Sequence, residues 1–60
     1  MKVGQLYPLL FPNQLIRIIN YITNFDTGTC FKYDDKAVEC IDYKIFKISV
    51  CGDVLKIEVV

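Results

Sequence analysis

Seven acidic residues, three cysteines and no histidine are all that this 60-residue chain offers to acid–base, nucleophilic or metal chemistry. Without histidine it lacks the side chain that most often titrates near neutral pH and most often binds a metal. Cys30, Cys40 and Cys51 are odd in number, widely spaced and without the close pairs of a zinc knuckle. They read as small apolar residues of a reducing compartment. Cys51 flanks a Gly-Asp turn and is the first candidate for a reactive thiol. Asp34-Asp35 is the one adjacent acidic pair, with Glu39 and Asp42 following. A shared metal is the sharp reading of that cluster; a solvated turn is the bland one, and the composition favours it. There is no Gly-rich phosphate loop ending in Lys-Ser/Thr, and no Gly-x-Ser-x-Gly elbow. Catalysis needs a dry, preorganised pocket, and so short a chain encloses little interior. The expectation is a protein that is not an enzyme and uses no cofactor.

Binding chemistry is better represented. Arg17 is the sole arginine and lies inside an isoleucine run. Its planar fork suits a carboxylate or phosphate, although a strand arginine more often lays its stem along the sheet and its head in water. Tyr7, Tyr21, Tyr33 and Tyr43 are many tyrosines for this length, and tyrosine is enriched in interfaces. Their ordinary use is rim packing around a thin core. Lysines alternate with aromatics in "CFKYDDK" and "DYKIFK", as on single-strand nucleic-acid platforms. A net charge of zero argues against nucleic acid, whose phosphates demand a basic excess. Candidate binding residues are therefore Arg17, Tyr21, Tyr33, Tyr43 and Lys47.

The elements that must position these residues are led by the C-terminal stretch "FKISVCGDVLKIEVV". With Gly52-Asp53 as a two-residue type II′ loop, Val50 faces Leu55, Ile48 faces Ile57 and Phe46 faces Val59. On the other face Ser49 meets Lys56, and Lys47 meets Glu58. One register satisfies both faces, and a one-residue slip would scramble both. The run from Asn13 to Tyr21 fits helical spacing and strand alternation alike, and its isoleucines favour a strand. Asn24 to Thr29 has loop chemistry, with Gly28 at the left-handed position. Thr29 to Tyr33 can pair back on the first strand. Asp34 or Asp35 can start one helical turn through Ala37 and Ile41. Val3, Leu6 and Leu10 suit a short N-terminal helix that Pro8 restricts. The expected fold is a single α+β domain over residues 1–60: a short N-terminal helix packed on a small antiparallel sheet of two hairpins, at about 14–33 and 44–60. The alternative makes residues 12–24 a helix packed on a C-terminal sheet.

The composition is 53% hydrophobic, above the usual share for a soluble domain. A small domain has too little volume to hide that excess. Self-association as a dimer, through the face or edge of the C-terminal hairpin, is the expected remedy. No run is long enough for a membrane span and no leader is visible, so the cytoplasm is the expected location.

Several positions together resemble a family of small, uncharacterised bacteriophage and prophage proteins. The matching residues are Met1, Val3, Leu6, Pro12, Ile16-Arg17-Ile18, Thr27-Gly28, Ile48-Ser49-Val50 and the run Asp53 to Val59. Pro8 and the connection "DDKAVECIDY" depart from that pattern. The resemblance implies strand character for residues 14 to 21 and a phage context, with no activity attached. Three functions follow as expectations. The chain is an inhibitor that binds a bacterial protein, such as a defence component. Alternatively, it is an oligomeric sponge that sequesters a signalling nucleotide, or a purely structural oligomerisation module.

Overall fold

The computed structural model describes residues Met1–Val60. Helix α1 spans Val3–Leu6 and runs into a 3-10 turn at Tyr7–Leu9. Strand β1 is Leu15–Asn20, β2 is Phe25–Asp26, helix α2 is Asp35–Val38, β3 is Ile45–Cys51 and β4 is Val54–Val59. The fold is α+β, as expected, and residues 15–20 are strand, so the helix at 12–24 is excluded.

The four strands form one sheet in the order β2-β1-β4-β3. Two antiparallel hairpins lie side by side, and a parallel pairing of β1 with β4 joins them. The sheet is therefore mixed rather than wholly antiparallel. β1 and β4 are the central strands, and their core-facing residues are almost uniformly aliphatic, as buried neighbours require. Ile16 lies beside Leu55, Ile18 beside Ile57 and Asn20 beside Val59.

The C-terminal register holds from the turn to Lys47: Cys51 faces Val54, Val50 Leu55, Ser49 Lys56, Ile48 Ile57 and Lys47 Glu58. Gly52 has φ of 62° and Asp53 is not in the left-handed region, which is the II′ pattern. Beyond Lys47 the pairing departs from expectation. A bulge at Phe46 puts Ile45, not Phe46, opposite Val59. Ile45 packs against the core, and Phe46 is left 56% exposed. A bulge admits one unpaired residue, and two adjacent apolar side chains compete for the inward place.

The first hairpin is tighter than its composition suggests. Phe25 and Asp26, expected in the loop, pair with Asn20 and Ile19. The turn between them uses Asn24 at φ 61°, and the Asn20 carboxamide accepts from the N–H groups of Ile22 and Thr23. Expected pairing by residues 29–33 shrinks to one bridge, Cys30 opposite Ile16. The Thr27 side chain accepts from the Ile18 N–H at 3.0 Å and bridges the interval between β2 and that point.

One face of the sheet is covered. Val3 and Leu6 of α1, with Ala37 of α2 and Cys40 just beyond it, close over Ile16, Ile18, Ile57 and Val59. Pro8 fits because it sits in the first positions of the 3-10 turn, where its missing N–H has no partner to lose. Gly4 is required by closeness: its N–H donates to the Ile41 carbonyl at 2.9 Å, and a Cβ there would meet Ile41 at 3.2 Å. Lys32 ties the N-terminal segment down. It is 7% exposed, and its ammonium donates to the carbonyls of Tyr7 and Leu10, both at 2.7 Å.

Candidate functional site

The opposite face of the sheet carries no helix. Strand alternation places Leu15, Arg17 and Ile19 of β1 on it. Beside them are Val54, Lys56 and Glu58 of β4, then Lys47, Ser49 and Cys51 of β3, with Asp26 of β2 next to Ile19. Three of the five candidate binding residues, Arg17, Tyr21 and Lys47, come together here. Arg17 and Lys47 do so through register, and Tyr21 through its hydroxyl, which donates to the Glu58 carboxylate at 2.7 Å.

The charges on this face form a connected set. Arg17 Nε donates to Asp26 Oδ1 at 3.1 Å, and its terminal nitrogen meets the other carboxylate oxygen, a two-point pairing across the β1–β2 hairpin. Asp26 Oδ1 also accepts from the Gly28 N–H at 2.8 Å. Lys56 Nζ stands 3.8 Å from Glu58. Lys47 lies opposite Glu58 and forms no ion pair. The Arg17 hydrogen bond, helped by the Gly28 N–H, holds the Asp26 carboxyl down at about 2. The Tyr21 hydroxyl lowers Glu58, and in return the carboxylate raises Tyr21.

Depressed carboxylates stabilise the fold only above their unfolded values. As pH falls from 4 toward about 2, Asp26 takes up a proton more readily unfolded than folded, and its contribution is lost. The melting temperature is expected to hold from neutral pH to about 4 and to decline below it. An Arg17→Gln variant should start lower at neutral pH and lose less on acidification. Circular-dichroism melts across that range check the difference, which is modest because both side chains face solvent.

The other two candidates lie elsewhere. Tyr43 is half-buried against the core on the helical side. Tyr33 is 70% exposed beside Lys32, whose ammonium is 5.2 Å from its ring. The five residues therefore do not make one site. Lys32, one of the lysines that alternate with aromatics in the sequence, is an internal clamp.

No group of three or more cysteine, aspartate or glutamate side chains is arranged to hold a metal. Asp34, just before α2, accepts from the Phe31 N–H at 2.9 Å. Cys30 and Cys40 are buried and Cys51 is exposed, all as free thiols. Burial pushes the Cys40 thiol up to about 11. A concavity of about 540 Å³ forms an open groove at the hairpin tip between Phe11, Gln14, Val50 and Leu55. No helix is long and apolar enough to cross a membrane.

Sequence alone missed Asp26, Lys56 and Glu58 as members of this face. Glu58 and Lys56 were legible as outward residues of β4, but the parallel neighbour that brings Arg17 and Asp26 beside them was not. Comparison with known protein families, with characterised proteins and with solved structures finds nothing that matches this chain.

Proposed function

We propose that the chain acts by binding, as a small phage-encoded accessory protein that docks on and inhibits a bacterial host protein, such as a defence component, in the host cytoplasm. The observation that carries this reading is the bare sheet face. It holds an arginine, a tyrosine and a free lysine among the half-buried Leu15, Ile19 and Val54, on a face that neither helix covers and where Tyr21 closes over Glu58. Arginine and tyrosine are the residues that most often dominate protein–protein contacts, and a broad sheet face suits a protein partner better than a small ligand, which prefers a concave pocket. The sponge reading is weaker here, because Arg17 is already held at two points by Asp26 and a phosphate would have to displace a carboxylate. The structural-module reading leaves the bare face without a task.

A tagged copy used as bait in bacterial lysate tests the proposal. A stoichiometric protein captured by the native chain, and lost with Arg17→Ala plus Tyr21→Ala, is the expected result. Both variants must first show an unchanged circular-dichroism spectrum. No stoichiometric protein, or capture indifferent to both substitutions, would refute it. A nucleotide mass in the native mass spectrum of the bait would favour the sponge instead.

A further inference from the structure

The two edges of the sheet are unequally protected. The β2 edge is two residues long and is followed by Gly28, and the β1 main chain behind it is already engaged by Thr27 and Cys30. Short, irregular edges of this kind resist pairing with another chain. The β3 edge is different. Its first residue is occupied, since Ile45 N–H donates to the Met1 carbonyl at 2.8 Å. From the bulge onward, Lys47 to Cys51 run straight to the turn with no proline and no cover.

The hairpin fixes which main-chain groups of that edge are free. A two-residue loop makes Cys51 and Val54 a hydrogen-bonded pair, so Ser49 and Lys47 also bond to β4. Ile48 and Val50 then direct their N–H and C=O groups away from the sheet. Their side chains are also uncovered, at 43% and 73% exposed, on the face that α1 and α2 close only further in. Apolar side chains and unpaired main chain thus coincide on one edge.

We infer that this edge pairs with the same edge of a second copy, antiparallel about a two-fold axis normal to the sheet through Ser49. In this register Ile48 lies opposite Val50 of the partner copy and Val50 opposite its Ile48, with the free main-chain groups of both facing each other. Four main-chain hydrogen bonds form across the axis. On the bare face Ser49 meets Ser49 of the partner copy, and Lys47 meets Cys51 of the partner copy. No like charges oppose each other in this arrangement. Pairing about Lys47 would set two lysines face to face, which is unfavourable. The chain's zero net charge adds no long-range repulsion. An axis normal to the sheet keeps both bare faces on the same side, so the dimer presents one continuous eight-stranded surface with two copies of the Arg17–Tyr21–Lys47 set. The inference rests on the free edge and not on the identity of any host target.

Sedimentation equilibrium and a cross-link test it together. The native chain is expected at about twice its 7.0 kDa mass at micromolar concentration. Val50→Lys places a charge on an exposed edge position and is expected to give a monomer with an unchanged circular-dichroism spectrum. Ser49→Cys, in a Cys51→Ser background, should oxidise to a covalent dimer under diamide. A non-hydrogen-bonded antiparallel pair sets its Cα atoms about 4.5 Å apart, within disulfide reach. The native chain, with Cys51 in place, should not cross-link, since that thiol faces Lys47 of the partner copy. A native chain that stays monomeric up to hundreds of micromolar would overturn the inference. So would a dimer that survives Val50→Lys, or one that cross-links through Cys51 in the native chain and not through the Ser49→Cys substitution.

Discussion

Ile57→Ala is expected to remove much of the stability of this fold. Ile57 is fully buried at the centre of β4, between Ile18 on one side and Ile48 on the other. Truncating a buried isoleucine to alanine costs ~2–5 kcal/mol, the spread reflecting how far the site can collapse. Sixty residues at the usual stability per residue hold only about 3–9 kcal/mol. The site has little freedom to collapse, since the two flanking strands are fixed by their own hydrogen bonds. Urea denaturation followed by circular dichroism should show a midpoint well below that of the native chain, or no folded baseline at all. Ile22→Ala is the matching control: Ile22 stands exposed in the β1–β2 turn, and its loss should change stability by less than ~0.5 kcal/mol. An Ile57→Ala midpoint equal to that of the control would contradict the packing described here.

Lys32→Met should rank second. The methionine keeps the apolar length of the stem but removes the ammonium that joins the carbonyls of Tyr7 and Leu10, at the two ends of the 3-10 turn. Those half-buried oxygens then lose a charged donor, and only the Tyr7 carbonyl keeps another partner, the Leu10 N–H at 3.0 Å. Hydrogen bonds to a charged group contribute about 1.5–3 kcal/mol each, and two that share one donor are not additive. A loss of ~2–4 kcal/mol follows. It should be local in character: amide exchange ought to quicken first in residues 3–10, whose hold on the loop at residue 32 is cut, while the β3–β4 hairpin stays protected longer. Uniform exchange across the chain would show instead that Lys32 supports the whole core rather than the N-terminal segment.

The contrast between these two positions explains what the sequence reveals and what it conceals. Ile57 is legible. It alternates with Lys56 and Glu58, pairs with Ile48 about a Gly-Asp turn, and only one register satisfies both faces. Lys32 is not legible, because nothing local separates a lysine among aromatics on a surface from one folded inward to satisfy distant carbonyls. The bulge is hidden for a related reason: Ile45 and Phe46 are both apolar, and the choice between them depends on Val59 and on how Met1 closes the edge. The parallel partnership of β1 with β4 has no local signature, since each strand is already provided with an antiparallel neighbour. Arg17 and Lys47 could be assigned to outward positions of their own hairpins. Their shared surface is a product of that long-range pairing, and Tyr33 and Tyr43 fell outside it because they belong to the connection that crosses the other side.

That same parallel partnership sets the order of assembly. Each hairpin closes through neighbours only a few residues apart and can form within microseconds. With both hairpins formed, joining β1 to β4 still requires closing the connection over residues 27–44 before any contact across it is gained, and the entropy of that closure opposes it. The rate-limiting event is therefore the meeting of two preformed hairpins, with Ile16 and Ile18 of one seeking Leu55 and Ile57 of the other. Until they meet, the C-terminal hairpin has both long edges open and its aliphatic face in water. During synthesis β1 emerges before this hairpin does, so its partner strand is already waiting when β4 appears. The interval in which this sequence is most prone to aggregate is short, and chain order keeps it so.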